Sequence, residues 1–78
     1  MNAVTEEIIT HAAAEAGIAL NGQAARVAEL VESRLPDTDD GYTRDDISYE
    51  LDAALPEVGI EFTTDEVWEM AAVVCNWI

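Results

Sequence analysis

Carboxylates dominate the chemistry that this sequence can offer, and seven of them lie in one stretch of sixteen residues. The stretch runs from Asp37 to Asp52 and reads DTDDGYTRDDISYELD, with Arg44 as its only cation. Its acids are Asp37, Asp39, Asp40, Asp45, Asp46, Glu50 and Asp52. Like charges this close together repel each other and destabilise a compact fold. The run therefore suggests a use, which can be cation binding, acid–base catalysis or contact with a basic partner.

A calcium loop of the EF-hand type is the first of these uses to test. Such a loop needs oxygen ligands at positions 1, 3 and 5, glycine at position 6 and glutamate at position 12. With Asp37 at position 1, Asp39 fits position 3. Positions 5, 6 and 12 then fall on Gly41, Tyr42 and Ser48, and none of the three matches. We therefore expect no specific metal site in this stretch.

Catalysis has even less support from the residues present. His11 and Cys75 each occur once, without C-x-x-C or H-x-x-x-H spacing. No nucleophile elbow or glycine-rich oxyanion loop accompanies them. The carboxylates have no apolar pocket beside them that would make one a general acid and its neighbour a base. We predict no catalytic residue, no cofactor and no enzymatic activity, and we expect His11 to lie on a helix surface or to be half-buried.

The overall charge excludes one function class and favours another. The 78 residues include 17 acids and three arginines but no lysine, which gives a net charge of −14. Direct binding to a nucleic acid backbone needs clustered Lys and Arg, so we exclude it. Half of the residues are hydrophobic, enough for the core of one small domain spanning residues 1–78.

The sequence also bears on localisation. A single cysteine allows no internal disulfide, and a lone thiol fits a reducing compartment. Glu6 and Glu7 stand where a signal peptide would carry basic residues, and no segment reaches the roughly 20 apolar residues of a membrane span. We expect a cytoplasmic protein without membrane contact.

Hydrophobic periodicity predicts an all-α domain of four short helices with short connections. The first runs from Val4 or Thr5 to Ala16 and ends at Gly17. The second is expected to begin at an Asn21 cap and to end near Leu35, before Pro36. Its apolar residues follow the i, i+3, i+4, i+7 rule at Ala24, Val27, Ala28, Val31 and Leu35.

The third and fourth helices begin with the same local pattern. Thr43 and Asp46 form a predicted capping box, with Tyr42 and Ile47 as the hydrophobic staple. Thr63 and Glu66, flanked by Phe62 and Val67, repeat this pattern for the fourth helix. The predicted core residues are Ile47, Leu51, Ala54 and Leu55 in the third helix and Val67, Met70, Ala71, Val74 and Ile78 in the fourth. Pro56 is expected to end or kink the third helix.

The segment from Glu50 to Glu66, ELDAALPEVGIEFTTDE, resembles the recognition helix and following loop of acyl carrier proteins. Size and acidity also suit that family, and the resemblance covers about a third of the chain. It implies a phosphopantetheine serine in a D-S-L motif five residues before Glu50. Asp45 occupies that place, and Ser48 lies about one turn too late. Without an attachment serine, we do not predict a carrier.

The remaining use is contact with a basic protein. In the third helix Asp46, Glu50 and Glu57 form one outer strip, and Asp45, Tyr49 and Asp52 form the next. Acids four residues apart lie about 6 Å apart along a helix, a spacing comparable to that of phosphates. The sequence thus predicts a contact surface that mimics DNA, consisting of Asp37, Asp39, Asp40, Asp45, Asp46, Tyr49, Glu50 and Asp52.

The expected partner is a basic nucleic-acid-binding protein or complex, and the expected function is its inhibition. In size and charge the chain is similar to anti-CRISPR, anti-restriction and nuclease-immunity proteins, several of which are phage-borne. The alternative is a helical interaction module that uses apolar contacts, with acidity serving solubility or high salt. Trp77 and Ile78 motivate that alternative, because an exposed apolar terminus is a candidate partner groove or homodimer seam.

Overall fold

Four α-helices form the computed structural model, which describes residues 3–35 and 41–78. They are α1 (Glu6–Ala16), α2 (Ala24–Arg34), α3 (Arg44–Glu57) and α4 (Thr64–Trp77). The described ranges contain no strand, which confirms the all-α, four-helix prediction. None of these helices combines the length and apolar character needed to cross a bilayer.

Three of the four helices begin at a threonine cap. The Thr5 hydroxyl accepts a hydrogen bond from the Ile8 amide at 3.2 Å, so α1 starts one residue after Thr5. Thr43 and Thr63 each take part in a complete capping box at the start of α3 and α4. These caps satisfy amides that the helix itself leaves without acceptors, and the two predicted capping boxes are confirmed.

The start of α2 differs from the prediction that Asn21 caps it. Asn21 adopts a left-handed backbone conformation with φ 54°, and Gly22 follows with φ 81°. These two residues form a turn, in which the Gln23 amide donates to the Leu20 carbonyl at 3.0 Å. Helix α2 begins only at Ala24, and its N-cap Gln23 makes no side-chain capping bond. Asparagine and glycine tolerate positive φ, and this tolerance prevails over the capping preference of asparagine.

The helices close into a ring around one core. Helix α1 packs against α2 and α4, and α3 packs against the same two neighbours, so α1 and α3 lie diagonally opposite. The core contains every predicted residue of α3, together with Val67, Met70, Ala71 and Val74 of α4. Leu35 and Ile78 are half-buried and pack against this core. The ring leaves one face of each helix in contact with solvent.

Helix α3 extends one residue beyond Pro56, so this proline lies in the last turn. Gly59 then adopts φ 73°, and the Ile60 amide donates back to the Leu55 carbonyl at 3.0 Å. This reversal satisfies a carbonyl at the end of the helix and returns the chain to the core at Ile60, which is buried. It also sets the length of the outer surface that α3 can present.

Candidate functional site

The outer surface of α3 carries five of the eight predicted contact residues. Because Ile47, Leu51, Ala54 and Leu55 are buried, the helical period of 3.6 residues places Tyr49 opposite the core. Tyr49 is 74% exposed, and the acids around it are exposed or half-buried. We call this surface the acidic face; it consists of Asp45, Asp46, Tyr49, Glu50 and Asp52.

The other three predicted contacts, Asp37, Asp39 and Asp40, lie outside the described residues. Their proximity in sequence to α3 is the only basis for including them with the acidic face. Among the residues that the structure does describe, no group of three metal-ligating side chains comes together.

Asp46 has a structural role in addition to its exposure. One carboxylate oxygen accepts a hydrogen bond from the Thr43 amide at 3.0 Å. In return, the Asp46 amide donates to the Thr43 hydroxyl at 3.2 Å. Substitution of Asp46 therefore removes a charge and weakens the start of the helix at once, which makes it a poor choice for testing partner contacts. Asp45, Glu50 and Asp52 make no side-chain hydrogen bond or ion pair within the described residues, so they are better choices.

The three arginines of the chain are all engaged in ion pairs and do not neutralise the centre of the acidic face. Arg26 pairs with Glu29 on α2 at 3.0 Å, as its i, i+3 spacing predicts. Arg34 at the end of α2 pairs with Glu57 at the end of α3. Arg44 lies 3.7 Å from Glu69 on α4. Asp45, Glu50 and Asp52 are left as uncompensated charges within the described part of the chain.

Arg44 joins the start of α3, where the acidic face begins, to α4. Its Nε donates to the Trp68 carbonyl oxygen at 2.9 Å, and its guanidinium lies 4.1 Å from the centre of the Trp68 ring. A cation over an indole face is a favourable cation–π arrangement. Sequence reasoning treated Arg44 only as the lone cation of the acidic run. The missed contact joins residues 24 positions apart, and no local pattern indicates it.

The pair of Arg34 and Glu57 shortens one of the two predicted acidic strips. These two side chains line a shallow depression together with Tyr49, Glu50 and Ala53. Because the charge of Glu57 is compensated by Arg34, the strip from Asp46 through Glu50 to Glu57 does not continue as uncompensated charge to the end of α3. The acidic face is therefore concentrated on the first three turns of the helix.

A second surface lies between the beginning of α1 and the end of α4. A cleft of about 540 Å³ is lined by Ala3, Thr5, Glu7, Ile8, His11 and Trp77. Trp77 is 54% exposed, and its ring meets the His11 ring edge-on with the centroids 5.3 Å apart. His11 is exposed, which is one of the two predicted alternatives. Ile78 contacts the core, so of the two terminal residues that motivated the apolar alternative, Trp77 is the more accessible.

Comparison with protein-family models, characterised proteins and solved structures finds no match to this chain. The interpretation of both surfaces therefore depends on their own geometry and charge.

Proposed function

We propose that this protein is a non-enzymatic inhibitor that occupies the nucleic-acid-binding surface of a basic partner. The contact surface is the acidic face of α3, extended by Asp37, Asp39 and Asp40, which precede it in sequence. The observation that carries the proposal is the set of carboxylates around Tyr49, exposed except for the half-buried Glu50, on a helix whose opposite side is buried in the core.

The spacing on α3 supports mimicry of a phosphate backbone. At 1.5 Å per residue, Asp46 and Glu50 are about 6 Å apart along the helix axis, and Asp45 and Asp52 about 10 Å apart. Phosphates along one strand of DNA rise by about 3.4 Å per nucleotide. A helix can thus offer carboxylates at distances to which a groove built for phosphates is adapted, and it needs no ordering on binding because its core face is already packed.

Tyr49 supplies an anchor at the centre of this charge. Exposed tyrosines offer apolar area and a hydroxyl together, and they are frequent among the residues that dominate binding energy. The surrounding acids steer encounter with a cationic surface, which raises the association rate and makes it sensitive to salt. Within the class of such inhibitors, we propose an anti-CRISPR or similar phage anti-defence protein, because those proteins combine small size with acidity.

The test is a pair of triple variants with equal charge changes. In the first, Asp45, Glu50 and Asp52 are changed to Lys; in the second, Glu15, Glu61 and Asp65 are changed to Lys. All six positions carry acids that make no hydrogen bond or ion pair in the described structure. Asp45 and Asp65 are both the second residue of their helices, so the cost of a lysine there is matched. Each variant has a net charge of −8, since each substitution adds two charges to −14.

Capture of partners from a host lysate, at low and at high salt, compares the two variants with the unsubstituted chain. We expect the chain to retain a nucleic-acid-binding protein at low salt, the first variant to lose it, and the second to keep most of it. Circular dichroism checks that both variants remain helical. Equal retention by both variants, or a captured protein with an acidic docking surface, would refute the proposal.

A further inference from the structure

The cleft between α1 and α4 combines an apolar wall with a negative rim. Ile8 packs against the core and is half-buried, while Trp77 forms the opposite wall at the end of α4. The edge-on contact with His11 holds the Trp77 ring in a defined orientation. Pockets of about 300–1,000 Å³ are typical of ligand sites, and this cleft falls within that range at about 540 Å³.

Among the described residues that line this cleft, the acid is Glu7 and none is a lysine or arginine. A shallower depression shares Thr5, Glu7 and His11 and adds Glu6 to the same rim. The cleft therefore fits an occupant with an aliphatic part for Ile8 and Trp77 and a cation for Glu7. Lysine and arginine side chains have this construction, with a long alkyl stem and a charged end.

The chain itself already contains a cation bound between an indole ring and a carboxylate. At the junction of α3 and α4, the Arg44 guanidinium lies over the Trp68 ring with the Glu69 carboxylate 3.7 Å away. Trp77 and Glu7 offer the same pair of groups, an indole and a carboxylate, in the lining of the α1–α4 cleft. Indole is the most favourable of the aromatic rings for a cation.

We propose that the α1–α4 cleft binds a lysine or arginine side chain of a partner protein, with the stem against Ile8 and Trp77 and the cation beside Glu7. This inference does not depend on the proposed function of the acidic face, because the two surfaces share no residue. A second copy of this chain is a poor occupant, since each copy carries a charge of −14 and the copies repel each other.

The probe is a blocked pentapeptide with arginine at its centre and glycine at the other four positions, added to the ¹⁵N-labelled protein in 150 mM salt. Its control replaces arginine with citrulline, which has the same shape and no charge. We expect saturable NMR shifts at the Trp77 indole N–H and at the Ile8 and His11 amides. Citrulline should weaken binding at least fivefold.

Three variants locate the binding site. Glu7→Gln should weaken binding of the arginine peptide about two- to fivefold, and Trp77→Leu by a similar factor. Glu15→Gln removes an equal charge from α1 outside the cleft and should leave the affinity unchanged. Glu7 is exposed, so its variant remains informative even if the change at Trp77 disturbs the fold. The acidic-face triple variant should keep its response at the cleft, which separates this proposal from the previous one.

Three results would overturn the inference. Shifts spread evenly over acidic residues would show diffuse attraction without a site. Equal losses of peptide affinity in Glu7→Gln and Glu15→Gln would show that the Glu7 carboxylate makes no specific contribution to binding. Movement of the same resonances on dilution without peptide would show that a second copy occupies the cleft.

Discussion

Replacement of Arg44 by alanine should destabilise the fold more than any other loss of a cation from this chain. The guanidinium is about one-third exposed, so its hydrogen bond to the Trp68 carbonyl is worth about 1 kcal/mol, below the usual range for a charged donor. The cation–π contact adds about 0.5–1 kcal/mol. The pair with Glu69 adds at most about 0.5 kcal/mol, because the carboxylate is exposed and distant.

The expected loss is thus about 1.5–2.5 kcal/mol in the free energy of unfolding, which corresponds to a fall of about 10 °C in Tm for a chain of this size. Arg26→Ala is the matched control, because Arg26 is also in the first turn of its helix and, within the described residues, pairs only with Glu29 across exposed surface. That variant should lose about 0.2–0.5 kcal/mol. Arg44→Lys should fall between the two, since it retains the charge but not the planar guanidinium.

Urea unfolding followed by circular dichroism at 222 nm measures all three variants. A second probe, Trp fluorescence, should report the same midpoint in each variant if unfolding is two-state. Equal losses in the free energy of unfolding for Arg44→Ala and Arg26→Ala would mean that the contacts between Arg44 and Trp68 do not hold α3 against α4. The reasoning about the position of the acidic face would then be wrong.

Two further predictions concern the helix ends. Thr63→Ala should lower the free energy of unfolding by about 1 kcal/mol, while Thr63→Ser should retain most of it because the hydroxyl acceptor for the Glu66 amide remains; equal losses in urea unfolding would contradict the capping role. Asn21→Ala should lower the free energy of unfolding by about 1 kcal/mol, because alanine is strained at φ 54°. Asn21→Gly should be neutral or stabilising, since glycine adopts positive φ without strain. Gln23→Ala should change the free energy of unfolding by less than about 0.5 kcal/mol. A glycine at position 21 that destabilises as much as alanine would contradict the turn.

The sequence predicts the beginnings of α3 and α4 well because the signal there is local. Thr43 with Asp46 and Thr63 with Glu66 lie three residues apart, and one turn of helix brings each pair together. The predicted start of α2 was wrong because asparagine favours two local structures, a helix N-cap and a turn with positive φ. The glycine that follows favours the turn, so this error was avoidable from the sequence.

The sequence predicts less of the candidate site, because charge compensation depends on helix packing. Helical periodicity places Tyr49 and its neighbouring acids on the outside of α3, where Glu50 is half-buried and the others are exposed. It does not indicate that Glu57 is paired with Arg34 or that Arg44 reaches Trp68, because those contacts cross between helices at separations of 23 and 24 residues. The cleft beside Trp77 likewise forms where the beginning of α1 meets the end of α4, and these two segments are distant in sequence.

The most direct test of the central claim is competition for the captured partner between this protein and a labelled DNA or RNA ligand of that partner. We expect increasing concentrations of the protein to displace the nucleic acid completely, and the variant with Asp45, Glu50 and Asp52 changed to Lys to displace little at the same concentrations. The variant changed at Glu15, Glu61 and Asp65 should compete nearly as well as the unsubstituted chain. Simultaneous binding of the protein and the nucleic acid, with no displacement, would contradict the claim that carboxylates on α3 take the place of phosphates.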